Sequence, residues 1–273
     1  MDTAAEESKI TPLNPETLRK EGNKLLNAGK YEEAICKMSE ALQIQISKVN
    51  NELDYSLAEY YYSYGDAIIC KISNSPEIFG EMIREAAKRH SAQQVEENKE
   101  EETKGEEGQE QVDDMQIAWE NLETGRIICT KELEELNLIV EKRKEVSKLL
   151  GRIYLGLGEI LRMQSRDEDA LIEYEKVLEI RKEVNDPNSR ELAEIYFNIG
   201  SATLMIKGKE GEAIESLNKA AEILEVCLKK ALGETVVEES KEEIKRQLIE
   251  VNEEDTSIVK ELKEVLKSVY DKV

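Results

Sequence analysis

Histidine, proline and aromatic residues are scarce in this sequence. Its 273 residues include one histidine, His90, four prolines and one tryptophan, and aromatic residues make up 5%. A single histidine argues against a histidine-rich metal site and against most acid–base chemistry that uses an imidazole. No apolar run approaches the roughly 18 residues that a membrane-spanning helix needs. We therefore expect no metal site, no cofactor and no membrane partner.

Signals for secretion and for disulfide formation are also lacking. The first residues, MDTAAEESKI, contain no basic stretch followed by an apolar stretch, so we expect no signal peptide. The cysteines form no CxxC pair. We expect them to be small, buried or half-buried side chains in a reducing compartment. They are Cys36, Cys70, Cys129 and Cys227.

Acidic residues are in large excess over basic ones. The chain has 60 Asp and Glu against 38 Lys and Arg, a formal net charge of −22. This charge repels nucleic-acid phosphates and favours a basic partner, so we expect no direct contact with nucleic acid. Hydrophobic residues make up 40% of the chain, which is enough for a folded core. No GxSxG, HExxH or phosphate-binding glycine motif is present, and we predict that the protein is not an enzyme.

A recurring pattern predicts helix–turn–helix repeats. Segments 18–42, 154–178 and 196–221 each place a glycine in a first helix. An alanine follows 12 or 13 residues later and opens the pattern Ala-x3-large-x2-small in a second helix. Small residues let two helices approach closely, and the large residue fills the gap between them. The pattern resembles the tetratricopeptide (TPR) repeat. The pattern residues are Gly22, Ala34, Met38 and Ala41, then Gly158, Ala170, Tyr174 and Val177, and finally Gly200, Ala213, Leu217 and Ala220.

One further repeat is interrupted. Gly65 occupies the repeat-glycine position, but the matching Ala118 and Leu122 begin 53 residues later, so about 41 residues are inserted. Residues 96–114 of the insertion hold ten carboxylates and two lysines. A tract so acidic and so poor in apolar residues is predicted to be disordered. The carboxylates are Glu96, Glu97, Glu100, Glu101, Glu102, Glu106, Glu107, Glu110, Asp113 and Asp114.

These patterns predict an all-α, TPR-like helical solenoid of four repeats. The predicted divisions are a flexible N-terminus at 1–14, a TPR domain at 15–233 and a C-terminal helix at 234–273. We favour a capping role for that last helix, since a solenoid must cover its final apolar face. Its heptad spacing could instead form a homodimeric coiled coil. The repeats are predicted at about 15–48, 51–72 plus 115–145, 147–183 and 188–224, with an insertion at 73–114 that is disordered over 92–114.

The first helices of a TPR array line its concave face, which locates a candidate groove. Counted from the repeat glycines, the groove positions include carboxylates interleaved with aromatic rings. Such a surface suits arginine and lysine side chains through charge-assisted hydrogen bonds and cation–π contacts. The alternative is that these are ordinary solvated positions of amphipathic helices. The residues concerned are Glu59, Tyr62, Asp66, Glu159, Glu194 and Phe197.

A TPR array interrupted by an acidic stretch resembles the nuclear autoantigenic sperm protein (NASP) family of histone chaperones, the interrupted-TPR type. The resemblance extends over about 15–273. Its most specific part is the interruption placed before the segment DDMQIAWENLETGRII. It also includes AEYYYSYGDAII, YLGLGEILRMQSRDEDALIEYEKVLEI, RELAEIYFNIGSA and the ending KELKEVLKSVYDKV.

The resemblance implies a nuclear, non-enzymatic protein with a cytoplasmic pool. Such a protein binds histone H3 or H3–H4 for nucleosome assembly, and some members also bind linker histone H1 through the acidic interruption. The family binds H3 on its third and fourth repeats and beneath the capping helix. It usually has a tyrosine where Phe197 stands. The matching residues are Leu155, Glu159, Glu194, Phe197 and Asn198.

The main alternative is a TPR adaptor or co-chaperone that binds the acidic tail of a heat-shock protein or another peptide. Such a clamp needs cations and an asparagine, and Arg19 and Asn23 fit its first repeat. Carboxylates at Glu59, Asp66 and Glu194 would repel an acidic tail. Desolvating such unpaired like charges disfavours this partner.

Overall fold

A computed structural model of the chain describes residues 14–74, 106–135 and 139–232, and the single residues Lys260, Glu264 and Lys267. Those ranges contain eight α-helices, one short 3-10 helix and no strand, so the all-α prediction is confirmed. Within them, no helix combines the length and the apolar character that crossing a membrane requires. The helices are α1 (Pro15–Asn27), α2 (Tyr31–Lys48), α3 (Ala58–Ser73), α4 (Glu106–Glu134), α5 (Val140–Met163), α6 (Asp167–Val184), α7 (Arg190–Thr203) and α8 (Glu210–Leu232), and the 3-10 helix is Tyr55–Leu57.

The helices belong to two compact units, Met1–Ile128 and Cys129–Val273. In the first unit, α1 packs on α2 and α2 packs on α3. In the second unit, α5 packs on α6, α6 on α7, and α7 on α8. Packing of each helix on the next one along the chain is typical of TPR-like helical repeats.

The start of α1 shows why this segment forms a helix. The Asn14 side chain accepts a hydrogen bond from the Glu16 backbone N–H at 3.1 Å. Pro15 occupies the first turn, where its missing N–H is not needed. The turn after α1 then needs a left-handed residue, which Gly29 supplies with a φ of 71°. The equivalent turn after α5 uses Ser165 instead, with a φ of 58°.

Each repeat glycine lies against the large residue that the sequence pattern pairs with it. A methyl carbon added at Gly158 would lie 2.8 Å from Tyr174 Cδ1, and one at Gly200 would lie 2.7 Å from Leu217 Cγ. These distances are shorter than a carbon–carbon contact allows, so only glycine permits the observed packing of the two helices. The pairing predicted from the repeats is confirmed. The same geometry holds for Gly22 and Met38, at 2.8 Å from Met38 Cε.

The interrupted repeat is assembled in the same way. A methyl carbon at Gly65 of α3 would lie 3.0 Å from Leu122 Cγ and 3.2 Å from the Ala118 carbonyl oxygen of α4. Ala118 and Leu122 have no exposed surface. The two halves of the repeat therefore meet across the insertion, within the first unit, as the sequence pattern predicts.

Two predicted boundaries differ from the structure. Helix α4 begins at Glu106, so 106–114 is helical rather than disordered. Glutamate and glutamine favour helix, and extending a formed helix is easier than nucleating one. Helix α4 ends at Glu134 and helix α5 begins at Val140, so the second repeat's helix ends before 145 and the third repeat's helix begins before 147.

Several other predictions fall on residues that the structure does not describe. They concern the flexible N-terminus at 1–13, the rest of the acidic tract from 92 to 105, the C-terminal helix and His90. The acidic residues of the tract in this group are Glu96, Glu97, Glu100, Glu101 and Glu102. For these the sequence-based expectations stay predictions.

Lys71 connects the end of the acidic tract to the folded repeats. Its ammonium nitrogen lies 2.9 Å from a Glu32 carboxylate oxygen and 2.9 Å from an Asp114 carboxylate oxygen. The hydrogen bonds to Glu32 and Asp114 raise the pKa of Lys71 above its usual range, so the side chain stays charged. One cation thereby holds α2, α3 and α4 together.

Candidate protein-binding site

The predicted groove residues of the first unit are already engaged with neighbours. The Arg19 guanidinium donates to a Glu59 carboxylate oxygen at 3.1 Å and to Glu16 at 3.1 Å. Its hydrogen bond lowers the pKa of Glu16. Arg19 also lies 5.8 Å from the centre of the Tyr60 ring. Lys20 also pairs with Glu16, at 3.4 Å, so Glu16 and Glu59 have two cations nearby and Arg19 has two carboxylate partners.

Tyr62 and Asp66 form a second local pair on α3. The Tyr62 hydroxyl donates to an Asp66 carboxylate oxygen at 3.2 Å. Both side chains are half-buried. Their spacing of four residues places them on one helix face, so these two side chains share a surface.

The second unit holds a pocket of about 440 Å³ on α7 and α8. Its apolar lining comes from Ala193, Phe197 and Leu224, which belong to or pack against the core of that helix pair. Glu191 and Glu194 contribute carboxylates, and Arg190 contributes a cation. Two of the predicted site residues, Glu194 and Phe197, are therefore brought together. The pocket lining combines apolar side chains with two carboxylates and one cation.

Arg181 lies beside this pocket and was not anticipated from the sequence. It belongs to the last turn of α6, and its guanidinium donates to a Glu194 carboxylate oxygen at 2.8 Å. It also donates to the Glu191 backbone carbonyl. Arg181 is 8% exposed, whereas the Glu194 side chain is 50% exposed. A positive charge at a helix C-terminus is the only signal that the sequence offered.

The other predicted residues of the second unit lie elsewhere on its surface. Leu155, Glu159 and Asn198 are half-buried and do not line the α7–α8 pocket in the part of the chain that the structure describes. Burial raises the pKa of the Tyr174 hydroxyl. The Arg162 charge opposes that rise, and the nearby Glu159 charge adds to it.

The cysteines offer no evident chemistry. All four are free, and Cys129 is buried, but the expected burial is wrong for Cys36, which is exposed. The Cys227 thiol donates to the Asn188 carbonyl at 3.0 Å, and burial raises its pKa. A raised pKa leaves less of the reactive thiolate. No cluster of histidine, cysteine or carboxylate side chains suited to a metal ion occurs among the described residues.

Comparison with known proteins agrees with the repeat geometry. A tetratricopeptide repeat family model matches residues 149–225, which run from α5 into α8. The chain contains TPR repeats. TPR arrays present extended surfaces that bind other proteins, and this gives the chain a role in protein–protein interaction.

The TPR protein is also similar to Protein HGV2 of Halocynthia roretzi. The two are 28% identical over 164 residues, which cover 59% of this chain. The matched part spans only 29% of the length of HGV2.

Proposed function

We propose that this TPR protein is an acidic histone chaperone of the NASP type. It binds H3 or H3–H4 stoichiometrically, without catalysis or cofactor, and shields it until nucleosome assembly. The observation that supports this most is the α7–α8 pocket, where Glu191 and Glu194 flank the half-buried Phe197. A basic segment that carries an apolar side chain complements such a pocket. The proposed location is the nucleus, with a cytoplasmic pool.

The charge of the whole chain supports the same class of partner. A net charge of −22 attracts basic proteins over a distance and accelerates their encounter. Histones bind DNA through the same lysine and arginine side chains that a carboxylate surface engages. Occupying those side chains keeps the histone away from DNA.

The heat-shock tail is a poorer partner for this structure. A clamp for an acidic tail needs an available cation, and Arg19 is engaged by both Glu16 and Glu59. A tail carboxylate would have to compete with Glu59 and Glu16 for this cation. Carboxylates near an acidic ligand repel it and oppose its binding.

A co-elution experiment tests the proposed function. The chain is mixed with H3–H4, with H1, with an acidic heat-shock tail peptide, or with an unrelated protein of similar basic charge. Size-exclusion chromatography with light scattering is run at low salt and at about 0.5 M salt, where the Debye length is roughly 4–5 Å. We expect a discrete H3–H4 complex to survive the higher salt. Equal binding of all basic proteins that disappears with salt, or selective binding of the tail peptide, would contradict the proposal.

The acidic tract is expected to accelerate capture and to assist H1 binding. To test this, residues 96–105 are deleted. The deletion stops there because 106–114 belongs to α4 and Asp114 pairs with Lys71. Removing five glutamates and two lysines should slow histone association at low salt by about tenfold or less. It should also weaken H1 binding more than H3–H4 binding. Stopped-flow association rates at two salt concentrations measure this, and an equal loss for both histones contradicts the division of roles.

A further inference from the structure

Arg181 joins the end of one repeat to the start of the next. It bridges α6 to two points on α7, the Glu191 backbone carbonyl and the Glu194 carboxylate. We propose that Arg181 is a positioning residue, which holds the Glu194 carboxylate in place for a basic partner and prevents indiscriminate attraction of cations. The inference rests on the proposed function and adds to it a residue that does not itself face the partner.

Burial explains why Arg181 needs these two acceptors. An arginine that is 8% exposed has lost most of its hydration, and a buried charge is tolerated only when it is paired and hydrogen-bonded. The planar guanidinium has several donors in a fixed geometry, so one side chain serves a carbonyl and a carboxylate together. Both acceptors lie within the first turns of α7. The contact therefore ties the orientation of Glu194 to the packing of α6 on α7.

The contact leaves Glu194 able to bind an external group. Arg181 engages one carboxylate oxygen, Oε2, at 2.8 Å, while half of the side chain surface remains exposed. A carboxylate can accept about four hydrogen bonds, so it retains capacity for a lysine or arginine of a partner. A glutamate that is already ordered loses less rotamer freedom when the partner arrives.

Arg181 also changes the electrostatics of the pocket. With Arg190, Glu191 and Glu194, it gives the local group two cations and two carboxylates. Local neutrality reduces the attraction of arbitrary cations, so recognition depends more on geometry. Removing Arg181 should therefore have opposite effects on specific and non-specific binding.

The first arm of the test measures H3–H4 affinity at about 0.3 M salt. Arg181→Met should weaken binding by about three- to tenfold, with a smaller loss for Arg181→Lys, which keeps the charge. At low salt, Arg181→Met should bind an unrelated basic protein more tightly than the unchanged chain does. Hydrogen exchange of α6 and α7 in the same variants checks that the repeats remain folded.

A double-mutant cycle distinguishes positioning from a general structural role. If Arg181 acts through Glu194, Arg181→Met should have no further effect on affinity in a Glu194→Ala background. Independent, additive losses would show that Arg181 acts by stabilising the fold, and would overturn the inference.

The second arm needs no partner and separates the inference from the proposed function. Carbon relaxation of the Glu194 side chain, measured by NMR, should show an ordered carboxylate that becomes mobile in Arg181→Met. Unchanged mobility overturns the positioning role, whatever the histone results. If the unchanged chain fails to bind H3–H4 at 0.3 M salt, the proposed function fails. Relaxation alone then decides whether Arg181 positions Glu194.

Discussion

Replacing Gly158 by alanine is expected to destabilise the second unit by about 1–3 kcal/mol, the usual range for overpacking a dense core. The added carbon would lie 2.8 Å from Tyr174 Cδ1. Tyr174 has no exposed surface and Gly158 is buried, so neither the tyrosine ring nor helix α5 can easily move away from the added carbon. Denaturant unfolding measures the free energy, and hydrogen exchange should localise the loss to α5 and α6.

Gly211 provides the matched control for this substitution. It lies in the first turn of α8, its φ is not in the left-handed region, and an added carbon would meet nothing within 4 Å. Gly211→Ala should therefore be neutral or stabilising by about 0.5 kcal/mol, because alanine restricts the unfolded chain. Equal destabilisation by both substitutions would mean that the close approach at Gly158 does not limit stability.

The repeat core could be predicted from the sequence because its contacts are encoded at short, fixed spacings. Gly158 and Tyr174 lie on consecutive helices, α5 and α6, which are joined by a short turn, so the pattern alone pairs them. The same pattern located Ala118 as the partner of Gly65 across 53 residues. An insertion placed between two helices leaves the packing faces of both unchanged.

The features that sequence analysis missed depend on tertiary contacts between helices. Composition predicted disorder as far as Asp114, but Lys71 pairs with that residue and helix α4 extends back to Glu106. The Arg181–Glu194 contact depends on how one repeat stacks on the next. Neither residue type nor spacing distinguishes Arg181 from the solvated cations of other helices.

The candidate site was predicted only in part, because some of its contacts also depend on how the helices pack together. Positions counted from repeat glycines placed Glu194 and Phe197 on one surface, and both line the α7–α8 pocket. The count could not show that Glu194 is paired internally. It also could not supply Leu224, which reaches the pocket from the second helix of the repeat.

The largest functional effect is expected from neutralising Glu159 and Glu194 together. Glutamine is preferable to lysine, because a lysine at Glu194 would leave the buried Arg181 facing a second cation and could unfold the repeat. Glutamine keeps an acceptor for Arg181 but removes the negative charge that strengthens a hydrogen bond to a histone cation. We expect the double variant to lose on the order of 10- to 100-fold in H3–H4 affinity at about 0.3 M salt.

The control for this variant carries the same change in charge at two exposed residues outside the pocket lining. Glu175 on α6 and Glu222 on α8 are exposed and do not line the pocket. Glu175→Gln with Glu222→Gln should change the affinity by less than about twofold, since exposed charges that make no direct contact with the partner are largely screened at this salt concentration. Isothermal titration calorimetry of both double variants distinguishes binding to a shaped site from attraction by the net charge of the chain. A large loss in the Glu159 and Glu194 variant alone identifies a shaped site, whereas equal losses in both would mean that histone binding reflects only the net charge of the chain.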